Sequence, residues 1–299
     1  AKEYGYKGRL EVIPNGVDLQ EFRIKNSELR IKNESPKIII TTSRLVQKNG
    51  IDILIRSIIE VKKEIPDVQC WIVGDGPEKT SYQLLVNSYK LQENIKFFGE
   101  IPHEEIPKYL HQADIFVRPS RSEGMGNSFI EALAAGLPII GTNVGGIKDI
   151  IRDQKTGLLA KIEDPIDLAE KILLLFRDNE LAINIVENGR KIVEEKFSWE
   201  KIAEAYDNLF QVKSIRILIA TPLLPPQIGG PAQHAQNLSK EFSDLGHIVK
   251  TVSFGGYLRY PSVIRHLFYL GSLLKDGLRS DLIFALDYTS VGLPAATVS

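Results

Sequence analysis

KIIITTSRLVQKNGIDILIRSIIEVKKEIPDVQCWIV, residues 37–73, holds the fold in miniature. A β-branched run, Lys37 to Thr42, reads as a strand. Ile51, Leu54, Ile55, Ile58 and Ile59 then recur at helical spacing, and a second apolar run from Val68 to Val73 closes the unit. Strand, amphipathic crossover helix and strand in this order specify two parallel strands with the helix packed on the sheet. The pattern repeats downstream, with strands expected at Ile95 to Phe98, Ile115 to Val117, Leu137 to Gly141 and Leu158 to Ala160. Intervening helical faces carry Tyr82, Leu85, Val86 and Tyr89, then Ile106, Tyr109, Leu110 and Ala113. The sequence predicts a doubly wound, Rossmann-like α/β domain.

After Ala160 the periodicity becomes purely helical, over Asp164 to Phe176, Glu180 to Lys196 and Trp199 to Gln211. A new strand opens at Ile215 and runs to Thr221. A Pro/Gly loop, Pro222 to Pro231, leads into a helix with Ala235, Leu238, Phe242 and Leu245 on one face, and Gly246 is placed to end it as a left-handed C′ residue. Strands at Ile248 to Phe254 and Asp281 to Leu286 flank a helix from Ser262 to Leu278. Residues 1–213 are expected to form one complete domain, and residues 214–299 a partial, three-stranded Rossmann-like unit.

The composition is that of a soluble enzyme: 43% hydrophobic, 25% charged and a formal net charge of -1 over 299 residues. Without a basic excess there is no electrostatic case for nucleic-acid binding. Cys70, the single cysteine, lies in an apolar run and reads as a buried thiol; no intrachain disulfide can form, which suits a reducing cytosol. No apolar run is long enough to span a bilayer. The only methionine is Met125, so the sequence is expected to be an excerpt, a processed product or a rearrangement.

Chemistry concentrates in four segments. Glu123 and Glu131 are separated by seven residues in a segment that leaves the strand Ile115 to Val117 and enters a helix through glycines. Backbone amides from Gly124 through Met125 and Gly126 to Asn127 suit phosphate or sugar oxygens, and the two carboxylates suit hydroxyl donors. The same residues also read as a capping box, with Glu131 closing back on Ser128. Arg44 and Lys48 lie just beyond the C-terminal end of the first strand, where open α/β sheets place ligands, and two cations there suit a diphosphate; a solvated basic loop is the alternative. Gly74-Asp-Gly-Pro77 begins like a dinucleotide fingerprint, but Lys79 stands where a small residue is needed, and Pro77 reads as a helix N1 residue. Gly229 and Gly230 precede another helix and offer a second candidate phosphate cradle. The five histidines form no metal-binding spacing, so no metal site is expected.

Taken in order, Pro14-Asn-Gly-Val-Asp18, Ser43-Arg-Leu-Val-Gln-Lys48, Gly74-Asp-Gly-Pro77 and Glu123-x7-Glu131 followed by Ala132 and Gly136 resemble the family 4 retaining glycosyltransferases, which have the GT-B fold; Gly145-Gly146 fits too. The resemblance covers residues 1–213 as that family's donor-binding domain. Residues 214–299 resemble the start of its acceptor-side domain, through Arg216-Ile-Leu-Ile-Ala-Thr-Pro222, Gly229-Gly230 and Gly246-His247-Ile-Val249. The order is inverted relative to the family, as in a permuted, fused or fragmentary chain. Phe284 and Leu286 stand where many members have histidines.

The resemblance implies a metal-independent, cofactor-free transfer of a sugar from a nucleotide-diphosphate sugar to an acceptor hydroxyl with retention. Arg44, Lys48 and Glu123 would be catalytic. The donor would be held by Gly16, Arg44, Lys48, Gly74, Gly124, Met125, Gly126, Asn127, Ser128, Glu131, Gly229 and Gly230, with Glu131 on the ribose and Glu123 on the sugar. The implied partners are the donor, a sugar or lipid-linked acceptor, and another chain, or a second copy, completing the partial unit. Basic and apolar residues from Tyr257 to Arg279 suit either an anionic membrane surface, at the inner face of a cytoplasmic membrane, or an ordinary sheet-covering helix. A catalytically incomplete nucleotide-sugar binding module is the alternative to an enzyme.

Overall fold

The computed structural model describes residues 13–22, 36–210, 214–224 and 230–286. It divides into two compact units, residues 17–198 and residues 1–16 with 199–299.

The first unit holds six parallel strands, β1 (Ile38–Thr42), β2 (Gln69–Val73), β3 (Ile95–Gly99), β4 (Ile115–Val117), β5 (Ile139–Thr142) and β6 (Leu158–Ala160). Their order is β3-β2-β1-β4-β5-β6. The chain adds strands on one side of β1, then returns to add β4, β5 and β6 on the other, so the direction of winding reverses between β1 and β4. Connections leaving two such neighbours go to opposite faces, and a crevice opens beyond their C-terminal ends.

Among its described residues, eight helices complete this unit: α1 (Leu19–Phe22), α2 (Ile51–Glu64), α3 (Lys79–Ser88), α4 (Ile106–Leu110), α5 (Asn127–Ala134), α6 (Ile147–Ile150), α7 (Pro165–Arg177) and α8 (Asn179–Lys196). The apolar stripe of α2 forms as its spacing requires: Ile51, Leu54, Ile55, Ile58 and Val61 are buried in one core with Ile39, Cys70 and Ile115. Each such side chain contributes about 1.5–3 kcal/mol relative to exposure. Burial pushes the Cys70 thiol up to about 12, as befits a core residue. Side-chain caps start α7 and α8: Asp164 accepts from the Ile166 and Asp167 amides and Asp178 from that of Leu181.

Two local expectations are corrected. Pro77 is not helical: α3 begins at Lys79, with Glu78 as its N-cap. The strand expected from Leu137 begins at Ile139, because Gly136 (φ +79°) turns left-handed and the Leu137 amide bonds back to Ala132, leaving Leu137 in the helix-terminating turn.

The second unit is built on a parallel sheet with β7 (Arg216–Thr221) between β8 (Ile248–Ser253) and β9 (Leu282–Ala285). Alternate residues of β7 enter two cores. Ile217 and Ile219 pack with Ala235, Leu238 and Phe242 of α10 (Gly230–Asp244), and Leu218 and Ala220 with Tyr269 and Leu273 of α11 (Ser262–Gly277). Gly246 adopts φ +90° just past α10, as expected. Phe284 stacks edge-on with Tyr206 and Phe242, an apolar role. The compact division falls between Ser198 and Trp199, so α9 (Trp199–Phe210), grouped with the first domain from sequence, shares a core with Ile217 and Phe242 instead.

Candidate functional site

The crevice between β1 and β4 is lined by loops fixed in place by backbone contact. Beyond β1, the Ser43 amide donates to Val73 and that of Leu45 to Asp75, while the Glu78 amide returns to Leu45. This close approach requires glycine: a Cβ on Gly74 would lie 2.0 Å from the Ser43 carbonyl oxygen, and one on Gly76 would lie 2.4 Å from that of Leu45. Gly74 therefore shapes the crevice, and its own amide is spent on the Gly99 carbonyl. Arg44 is left exposed at the rim, its carbonyl held by the Nδ2 of buried Asn49 at 2.7 Å.

Lys48, also exposed, lies in the short 3-10 turn Gln47–Asn49. Its carbonyl accepts the Arg121 amide at 2.7 Å, which ties the loop after β1 to the loop after β4. The Arg121 side chain completes the tie. Its guanidinium donates twice to Asp52 at 2.8 Å, to the Gln47 carbonyl at 2.6 Å and to Glu163. Burial opposes ionisation of Asp52, but the Arg121 hydrogen bonds and charge prevail and hold its carboxyl below the ordinary 3.8.

Glu123 is anchored from below. Arg118, the first residue past β4, is buried; its guanidinium donates to Glu123, to the Ser128 hydroxyl at 2.6 Å and to the Ser120 hydroxyl, and lies over the Phe129 ring. Burial disfavours the Arg118 charge, and the Glu123 and Glu131 carboxylates sustain it. The other Glu123 oxygen accepts the Gly124 amide at 3.0 Å, so this amide is engaged within the protein. Gly145 and Gly146 press on the same loop: the Gly146 amide donates to the Gly124 carbonyl at 2.6 Å, and a Cβ on Gly145 (φ +51°) would lie 1.7 Å from that of Glu123.

The helix that follows excludes the capping box. Gly126 (φ +75°) is the N-cap of α5 and Asn127 its first residue, which places Ser128 inside the helix. Glu131 reaches away from Ser128: its Oε1 lies 3.3 Å from His103 Nε2, and His103 Nδ1 lies 3.6 Å from Glu21 Oε1. Glu131 and then Glu21 raise the His103 imidazole to about 10 against the cost of its burial.

Arg44, Lys48, Gly74, Glu123, Gly124, Met125 and Gly126, on the connections leaving β1, β2 and β4, and Asn127, Ser128 and Glu131, on α5, thus all belong to one unit. Gly16 belongs to the other, where a Cβ on it would lie 2.7 Å from the Trp199 indole. Gly230 opens α10 of that unit, and Gly229 lies outside the described residues. Sequence reasoning missed Arg118, Arg121, His103 and Glu21. Arg118 was within reach, since residues one step past a strand at a reversal point face the crevice. Among the described residues no group of His, Cys, Asp or Glu side chains is arranged to hold a metal, and no helix is long and apolar enough to cross a membrane.

The profile of the family described as "Glycosyl transferases group 1" matches residues 23–192. A GDP-mannose-dependent alpha-(1-6)-phosphatidylinositol monomannoside mannosyltransferase of Mycobacterium tuberculosis is 30% identical over 68% of this chain and 56% of its own length. The C-terminal domain of a glycosyl transferase group 1 family protein (LpcC) from Francisella tularensis is 27% identical, with a TM-score of 0.55 over 61% of this chain and 99% of that one. HepE of Anabaena, solved with UDP and glucose, shares the fold at a TM-score of 0.60 and 23% identity, over 68% of this chain and 57% of that one. The chain spans about half the length of the curated relatives it matches.

The Arg121–Asp52 tie has a measurable consequence. Asp52→Asn should cost about 1–3 kcal/mol at pH 7, since a hydrogen bond to a charged group is lost. The folded carboxyl titrates below its unfolded value, so the contribution is present above pH 3.8 and disappears as pH falls through the folded value. Urea unfolding of both proteins across the acid range should show the gap closing there; a constant gap would contradict an ionic origin.

Proposed function

Because the chain belongs to the group 1 glycosyl transferases, we propose that it binds a nucleotide-diphosphate sugar in the β1/β4 crevice and transfers the sugar to an acceptor hydroxyl with retention and without a metal. The observation that carries this reading is the joining of a loop with two exposed cations, Arg44 and Lys48, to the loop that bears Glu123, through Arg121. Cations at the rim suit a diphosphate, whose charge grows as the bond to the sugar breaks. Glu131 accepts ribose hydroxyls, Glu123 holds the transferred sugar, and Gly74, Gly145 and Gly146 shape the walls. The acceptor hydroxyl attacks from the side on which the diphosphate departs. Its proton passes to the leaving oxygen, and no protein nucleophile is invoked. Product anomeric configuration, read by NMR, tests retention; turnover persisting in EDTA tests metal independence.

Arg44→Ala and Lys48→Ala should each weaken a nucleoside diphosphate far more than the plain nucleoside in calorimetry, and equal losses would show that neither side chain meets phosphate. The carboxylates divide differently. Glu131→Gln should lower affinity for the nucleoside diphosphate and its sugar conjugate alike, whereas Glu123→Gln should affect only the conjugate, by about 1.5–3 kcal/mol for one charged hydrogen bond. Conjugate binding without turnover would favour the binding-module reading.

A lipid-linked acceptor at an anionic membrane surface is favoured by α11. While Tyr269 and Leu273 face the sheet, Leu267, Phe268, Leu274 and the following Leu278 are exposed, at 63%, 49%, 41% and 76%. Residues 257–280 carry Arg259, Arg265, Lys275 and Arg279 against one acid, Asp276, which is held by Lys250 at 2.7 Å, so the segment has a basic excess. The chain should sediment with vesicles containing phosphatidylglycerol and not with pure phosphatidylcholine, and Leu267→Glu should abolish this. Self-association without vesicle binding would assign the face to a second copy.

A further inference from the structure

We infer that His103 is a positioning residue for Glu131, clamped from its far side by Glu21, so that the carboxylate assigned to the ribose is held by one oxygen and presents the other. The inference rests on that assignment of Glu131. Three elements converge on the ring. Glu131 projects from α5, His103 stands at the turn before α4, and Glu21 lies on α1, whose first turn is capped by Asp18 through the Gln20 amide at 2.8 Å. The Phe22 ring packs edge-on against the imidazole at 5.5 Å, and His103 Nε2 faces Glu131 Oε1 while Nδ1 faces Glu21 Oε1.

A neutral imidazole has one N–H and one lone pair. With a carboxylate at each nitrogen, a neutral ring would donate to one and turn a lone pair on the other. Only the doubly protonated ring satisfies both, so the two glutamates together keep His103 cationic. Of the charged groups near the row, Arg118 adds positive charge beside Glu131, and no further ion pair to His103 is formed among the described residues. The ring therefore fixes the rotamer of Glu131 and balances its charge without occupying its second oxygen. Glu21 acts only through the ring.

The test uses the whole chain, with UDP, GDP and ADP as probes in calorimetry and the tightest carried forward. His103→Ala should lose about tenfold in affinity, the size expected for one hydrogen bond to a charged group. His103→Gln, which keeps an N–H and serves if the alanine variant fails to fold, should lose less. Glu131→Gln in the His103→Ala background should add little, because the two act as a unit. Ring nitrogen shifts at pH 7 should show both nitrogens protonated in the unmodified protein and only one in Glu21→Gln. Additive losses, or a His103→Ala protein that binds normally while Glu131→Gln does not, would overturn this inference alone. Normal binding by Glu131→Gln would overturn the ribose assignment and this inference with it, whatever the ring shifts show.

Discussion

Two loops that leave adjacent parallel strands toward opposite faces have no helix between them, so they must be joined by direct contact between the loops. In this chain the join is Arg121. Its amide takes the Lys48 carbonyl, and its guanidinium takes Asp52, Gln47 and Glu163. The fork geometry of arginine lets one residue reach a helix side chain, a loop carbonyl and a carboxylate beyond β6. Register between the cationic rim and the carboxylate loop depends on it. Long flexible side chains such as Arg44 and Lys48 are useful only if their backbone origins stay in place, because every added ångström of loop freedom dilutes their contact with a bound phosphate.

The carboxylates raise a second requirement. Glu123 and Glu131 are both largely buried, at 11% and 16% side-chain exposure, and two negative charges at one crevice repel each other. Each is answered by its own cation, Arg118 and His103. The cations differ in depth. Arg118 is buried beneath Glu123, while the His103 side chain is 36% exposed and reaches Glu131 from the side. Charge is thereby neutralised behind the carboxylates, while Arg44 and Lys48 at the rim form no ion pair among the described residues.

Much of this fold was legible in the sequence because its strands are β-branched runs separated by strongly amphipathic helices. The runs at Lys37, Val68, Ile95, Ile115 and Leu158 needed adjustments of only a residue or so at their ends. Leu137 was misread because apolar content does not distinguish a strand residue from one that closes a helix through a left-handed glycine. The fate of α9 was illegible for a related reason: periodicity reveals that Trp199, Ile202 and Ala203 share a face, but not which sheet that face covers. At the candidate site, Arg44, Lys48, Glu123 and Glu131 could be placed at the crevice because strand ends and glycines mark it. His103 and Glu21 could not, since both are far from Glu131 along the chain, and His103 meets Glu131, and Glu21 meets His103, only in the folded structure.

Glycine usage explains why the motifs around these residues are so short. At Gly74, Gly76, Gly145 and Gly146 the obstacle to a side chain is another backbone rather than a movable side chain, with carbonyl oxygens at 1.7–2.4 Å from the Cβ position. No rotamer change relieves such a contact, so even alanine would have to push one crevice loop away from the other. The loops after β1 and β2 are pressed together by one pair, and those after β4 and β5 by the other. Four strand ends thus become two lips, joined by Arg121 and by the close approach of Gly50 to the Pro119 carbonyl oxygen, 2.0 Å from the Gly50 Cβ position. Loops held in this way need not be ordered when a ligand binds, and the entropy cost that a mobile loop would impose is met when the domain folds.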